Sequence, residues 1–177
     1  VDVNRDALGD ISQTKTTFAT AAEGVAEVLF TMGSIMLSAN IDQDAVIYLR
    51  LALYLRPDFP TAALTLGDAY GQLQQYEKAN QSYALIRPSS NLYINAQVNI
   101  AINYERLSKY NEALAVLDSV IHQRPQSYES LVIKADILRG RNQLEEAVVA
   151  YTQAIKRIGI LEDQHWSIFF ARGATYE

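Results

Sequence analysis

Cysteine is absent from the 177 residues. Its absence excludes disulfides, thiolate zinc sites and cysteine catalysis together, and leaves the redox compartment open. Glycine and proline are scarce, at 8 and 4, too few for a sandwich of many short, turn-linked strands. The only histidines are His122 and His165. A zinc site on so distant a pair would need carboxylates converging with them, so no metal and no cofactor is expected. Positive charge is short as well: the formal net charge is -5. Nucleic-acid binding draws on clustered Lys and Arg, and is not expected here. The longest apolar stretch, Val46 to Leu55, is broken by Arg50, so no direct membrane insertion is expected.

What is present is a 49% hydrophobic chain, about the size of one compact domain or one short solenoid. It repeats. Stepping by 34 residues from Gly67 reaches Gly33, Ala101 and Ala135, all small. Twelve residues after each marker stand Ala45, Ala79, Ala113 and Ala147. Large residues follow three after the marker (Met36, Tyr70, Tyr104, Leu138) and sixteen after it (Leu49, Tyr83, Leu117, Tyr151). Nineteen after come Ala52, Ile86, Val120 and Ala154.

A period of this length with helical spacing inside it means two antiparallel helices per unit. Packed helices approach to about 8–10 Å, and the closest crossings accept only Gly or Ala. The two small columns therefore face one another, with the tyrosine and leucine columns beside the crossing. Pro57 and Pro125 close the second helices of units one and three, because proline removes a donor and pushes its predecessor out of the α region. Arg56, Arg87 and Arg124 each precede a proline, where a cation meets the negative end of a helix dipole. Pro88 comes early, which predicts a slightly shorter helix and a longer turn in unit two.

Leu66-Gly67, Tyr70, Ala79, Tyr83 and the closing prolines together resemble the tetratricopeptide repeat family. The resemblance covers residues 26–177, with units 26–59, 60–93, 94–127 and 128–165 and a partial unit 166–177. Unit four departs from the pattern at Lys134 and Leu138. The resemblance implies an all-α, right-handed α-solenoid of helix-turn-helix repeats, four complete units plus the first helix of a fifth. It also implies a concave groove, lined by first helices, that binds peptides or protein surfaces. Carried over position by position, the groove candidates are Thr65, Asp68 and Gln72 in unit two; Asn95, Val98, Asn99, Ile102, Glu105 and Arg106 in unit three; and Glu129, Val132, Ile133, Asp136 and Arg139 in unit four. The family's clamp for a peptide C-terminal carboxylate needs lysines, but Phe30, Ser34, Glu129 and Ile133 stand at the clamp positions, so that mode is not expected. Asn95 and Asn99 share one helical face, where amides can pair with the backbone of an extended ligand; a merely solvated face is the alternative.

Other patterns carry little. Ser12-Gln-Thr-Lys15 matches an acyl-enzyme motif by spacing alone, without the companion motifs or the mixed fold that chemistry needs. Asn80-Gln-Ser82 has the form of a glycosylation sequon but falls on a helix. Most of the 11 tyrosines occupy core columns, with Tyr93, Tyr110 and Tyr128 at unit edges. Residues 1–25 lie outside the repeat. Thr20 and Glu23 have capping-box spacing and predict a helix start near Ala21. The polar tail before it is expected to lie on the protein's own groove or a neighbour's.

No constellation supports an enzyme. The expected function is a non-enzymatic protein-interaction module holding a peptide segment or helix in the groove. The alternative is a structural segment of a longer solenoid that mediates assembly. The aromatic C-terminal helix, with Trp166, Phe169 and Phe170, suggests a homodimer contact, and its unfinished unit suggests a fragment of a longer parent. Composition leans toward a soluble bacterial repeat protein, of cytoplasm or periplasm.

Overall fold

The computed structural model describes residues 20–160 and 162–176, and the tail expected to lie on a groove falls outside them. Among the described residues every regular element is helical. Helices α1 (Ala21–Ser38) and α2 (Asp42–Leu55), α3 (Pro60–Gln72) and α4 (Tyr76–Tyr83), α5 (Tyr93–Arg106) and α6 (Tyr110–Gln123), and α7 (Glu129–Gly140) and α8 (Leu144–Arg157) form successive pairs. A single 3₁₀ turn, Asp163–His165, then leads into α9 (Trp166–Thr175). Each helix packs on the next along the chain, and first helices of adjacent units also touch, α1 on α3 and α5 on α7. Contacts confined to neighbouring units make this an α-solenoid.

The crossing of first and second helix is built as the small columns require. Gly33, Gly67, Ala101 and Ala135 are buried, and Ala45, Ala79, Ala113 and Ala147 are wholly enclosed. At Gly67 the obstacle to a larger residue is the Tyr83 ring: an added Cβ would land on its Cε1 and lie 2.6 Å from Cζ. At Gly33 it would come within 2.8 Å of Leu49 Cγ. The core is a row of four clusters, each welding one pair to the next unit. Ala45 and Leu49 meet Leu66 and Ala69. Ala79 and Tyr83 meet Ala96 and Ile100. Ala113 and Leu117 meet Ile137, and Ala147 and Tyr151 meet Ile168.

The turns inside the four units are one structure repeated. Asn40, Gln74, Ser108 and Asn142, again 34 apart, all have φ between 57° and 61°. In the first, Asn40 N–H donates to Leu37 O (3.0 Å) and Ile41 N–H to Met36 O (2.9 Å). The other three repeat this pair of bonds. It is the Schellman closure, which satisfies the last carbonyls of the first helix and reverses the chain.

Some helix ends differ from the expectations. The start of α1 does not: Thr20 caps it, its Oγ1 accepting from Glu23 N–H at 3.2 Å, and the helix begins at Ala21 as the Thr20/Glu23 spacing predicts, upstream of the first unit's boundary at residue 26. Helices α2 and α6 do stop just before Arg56-Pro57 and Arg124-Pro125. Helix α4 ends at Tyr83, earlier than Pro88 demands. Its backbone tightens into i→i+3 bonds, Leu85 N–H to Ser82 O and Ile86 N–H to Tyr83 O, and this still delivers Ile86 to the core. Arg87 is therefore no helix-end cation; it pairs with Asp58 at 3.3 Å. Arg56 turns to Glu27 (2.7 Å) and lies over the Phe59 ring. Tyr93, Tyr110 and Tyr128 are half-buried against the core rather than open at unit edges. Helix α1, with 18 residues and a mean hydropathy of 1.2, reaches the minimum length and composition for crossing a membrane. It lies apart from Val46 to Leu55, the stretch on which the expectation of no membrane insertion rests. The helix packs along α2 through Ala26 and Gly33.

Two glycines of one helix should answer oppositely to alanine. Gly67→Ala gains helix propensity of up to about 1 kcal/mol but drives a methyl into a buried ring, for which overpacking costs of about 1–3 kcal/mol are typical. The net expectation is a lower melting temperature, restored by adding Tyr83→Leu. Gly71 has nothing within 4 Å of an added Cβ, so Gly71→Ala should raise the melting temperature. Thermal unfolding followed by circular dichroism checks both signs.

Candidate functional site

The first helices bring part of the expected groove together. Asp68, Gln72, Asn99 and Ile102 line a depression of about 450 Å³ between α3 and α5, joined by Arg106. Asn95, Val98, Asn99 and Glu129 line a second, of about 470 Å³, between α5 and α7. Asn99 borders both, so the two form one strip along α5. Arg124, read from sequence only as a helix-end cation, also lines the second.

The remaining candidates stand apart from these depressions. Thr65 donates its hydroxyl to Thr61 O within its own helix (2.9 Å). Glu105 sits 3.8 Å from Arg106. Val132 packs on the core cluster of α7, α8 and α9, and Ile133 on that of α5, α6 and α7. Asp136 and Arg139 pair with each other at 3.4 Å.

Two acidic candidates have a structural task that sequence reasoning missed. Tyr83 donates its hydroxyl to Asp68 Oδ1 at 2.7 Å, and Tyr151 to Asp136 Oδ1 at 2.5 Å. The ring fills the core of its pair and its hydroxyl emerges at the groove side, where it needs an acceptor. The signal was present in the sequence. Aspartate follows the marker only in units two and four, the units with tyrosine in the later column; units one and three pair Ser34 with Leu49 and Ile102 with Leu117. Asn99 Nδ2 approaches the same Asp68 oxygen at 3.5 Å. Burial raises the Asp68 pKa above its ordinary 3.8, against the lowering effect of the Tyr83 hydroxyl. Burial, then the bond to the neighbouring aspartate and its charge, pushes both tyrosines well above 10. Asn103, one turn beyond Asn99, is buried and donates to Asn80 Oδ1 at 2.8 Å, bridging α5 to α4. Among the described residues, Asn95 and Gln72 make no such bond.

The histidines are structural or peripheral. His122 is exposed in the last turn of α6. His165 is buried; its Nδ1 accepts from Glu162 N–H (3.0 Å) and its Nε2 lies 3.2 Å from the Tyr128 hydroxyl. On α9, Trp166 and Phe170 are 72% and 69% exposed while Ile168 faces the core and Phe169 is half-buried. Phe169 is thus the least exposed of the three interface candidates.

Models of the tetratricopeptide repeat match residues 60–85, 95–127 and 128–158, together half of the chain. No curated protein matches. Among solved structures, MamA from Desulfovibrio magneticus RS-1 (residues 41 to the end) superposes with a TM-score of 0.69 at 19% identity, covering 88% of each chain. YrrB, described as a TPR protein with an unusual peptide-binding site, superposes with a TM-score of 0.63 at 18% identity, over 90% of this chain and 84% of its own. At such identities the likeness is one of fold.

The Asp–Tyr ties make a pH prediction. A tyrosine whose folded pKa is raised contributes stability that is complete below the unfolded value of 10 and lost as pH climbs past it. Spectrophotometric titration should show Tyr83 and Tyr151 resisting ionisation until the chain unfolds. Tyr83→Phe and Tyr151→Phe should each remove one late-titrating group. A late-titrating signal left unchanged by both substitutions would contradict the ties. Asp68 has the same sign: its contribution is complete below 3.8 and is lost as pH rises through its folded pKa.

Proposed function

The chain belongs to the tetratricopeptide repeat family, and from that premise we propose that it is a non-enzymatic protein-interaction module binding an extended peptide along α3, α5 and α7. The observation that carries this reading is the strip around Asn99. Two depressions meet at one asparagine, and the amides of Asn95 and Gln72 make no hydrogen bond among the described residues. A primary amide offers donors and an acceptor together, which matches the alternating N–H and C=O groups of an extended backbone without reading its side chains.

The charges at the strip are nearly balanced: Asp68 and Glu129 stand with Arg106 and Arg124. An uncharged, amide-rich or mildly basic segment fits this lining better than an acidic C-terminus. Glu105 and Asp136 add to its acidic surroundings but are partly neutralised by Arg106 and Arg139. YrrB, the fold relative with a peptide-binding site, fits the same class of function.

A second reading, assembly through the solenoid end, is favoured by one observation. Trp166, Phe170 and Tyr176 are exposed rings on the last helix, and exposed apolar surface of this kind marks interfaces. A two-fold contact there would be self-complementary.

Peptides selected against the chain from a random display library test the first reading. The Asn95→Ala/Asn99→Ala variant should bind them at least about tenfold more weakly, the scale expected from losing one or two hydrogen bonds of about 1 kcal/mol each. Unchanged affinity would refute the groove. Light scattering over a dilution series tests the second: a dimer that Phe170→Glu converts to monomer supports assembly, and a monomer at every concentration removes it.

A further inference from the structure

We propose that the chain carries a second binding surface, away from the groove: a hollow between α6 and α8, floored by α7, that receives an apolar side chain from a basic amphipathic helix of a partner protein. The hollow measures about 610 Å³, within the range of sites that enclose ligand groups. Its α7 residues are Leu131, Lys134 and Leu138. They stand three and four apart on one face, opposite the face that carries Glu129 and Asp136. It therefore opens on the side of the second helices, independently of the peptide strip.

The repeat pattern explains why the space exists. At the same two positions of unit three stand Tyr104 and Val116, which pack together in the clusters on either side of α5. Unit four has Leu138 and Ala150 instead. Both substitutions remove volume at facing positions, and the hollow lies over the two smaller side chains. Leu131, Leu138 and Ala150 are buried at its floor, while Val149 stands 55% exposed at its edge. Lys134, which replaces the Leu66 and Ile100 of the preceding units, leaves the apolar column and reaches Asp118 at 2.5 Å.

Charge identifies the occupant. Three carboxylates, Asp118, Glu145 and Glu146, border the hollow against the single ammonium of Lys134. That ammonium is already held by Asp118. Glu145 and Glu146 are exposed in the first turn of α8 and have no ion-pair partner among the described residues. An apolar socket with an uncompensated acidic rim selects an apolar side chain flanked by cations. A helix supplies that arrangement, with Lys or Arg one turn to either side of a large apolar residue.

The test uses a synthetic Leu/Lys amphipathic helix of about 18 residues and its Leu/Glu counterpart, each titrated into the whole chain at physiological salt. The Leu/Lys peptide should bind saturably and the Leu/Glu peptide should not. Leu138→Tyr/Ala150→Val, which rebuilds the packing of unit three, should weaken binding at least about tenfold, and so should Glu145→Lys/Glu146→Lys. The second variant changes only exposed side chains, so it reports on the site even if the filled variant misfolds. Glu77→Lys/Glu112→Lys, the same charge change at exposed positions elsewhere, should bind nearly as tightly as the wild type, as should Asn95→Ala/Asn99→Ala. Absence of binding, equal binding of the Leu/Glu peptide, or an equal loss in the Glu77/Glu112 control would overturn the proposal.

Discussion

Everything in this molecule depends on how closely the first helix of each unit approaches the second. Gly33, Gly67, Ala101 and Ala135 on one side and four alanines on the other set that distance, because nothing longer than a methyl fits between the backbones. The approach fixes where the next large residue lies. Leu49, Tyr83, Leu117 and Tyr151 are all buried because each is the first side chain beside the crossing with room to extend. A common Schellman turn holds the same geometry in all four units. Its left-handed position is filled by Asn, Gln or Ser without any glycine, at a local backbone cost that the flanking packing offsets.

Repetition of that crossing makes a scaffold, and small departures from it make surfaces. Where the core residue is tyrosine, its hydroxyl surfaces beside the groove and captures an aspartate. This ties first helix to second and engages acidic side chains that would otherwise stand free at the groove. Where Tyr and Val give way to Leu and Ala, a hollow opens on the opposite side. Where asparagines follow one another by a turn on α5, their neighbours divide the work. Asn103 bridges to α4 and Asn99 leans toward Asp68, while Asn95 is left free. One helix thus ties its neighbour at one end and presents an amide without a bond among the described residues at the other.

The same columns change meaning on the first and last described helices. Ala62, Ala96 and Ser130 are buried because the second helix of the preceding unit covers them; their counterpart Val28 is 60% exposed. Ala69, Asn103 and Ile137 are buried, and Ile35 is 61% exposed. At the other end Gly173 has open space where Gly67 has a ring. These apolar faces follow from the repeat itself, since each unit completes its neighbour's core.

The sequence by itself determined the period, the helical pairing, the family and nearly every core position, because these rest on side-chain volume at fixed spacing, which a sequence states directly. It also carried the Asp–Tyr pattern, legible as a coincidence of two columns in units two and four. Tertiary structure alone decided which polar groups are already spent. Asp68, Asp136 and Thr65 look like groove chemistry in sequence, and each proves to be hydrogen-bonded within the protein. It decided that α4 ends at Tyr83 rather than at Pro88, because backbone bonds tighten before proline can act. It decided that Phe170 points outward and Phe169 does not. Sequence spacing gives the face of a helix on which a residue sits; only the packed neighbours fix whether its hydrogen bonds and its surface remain available.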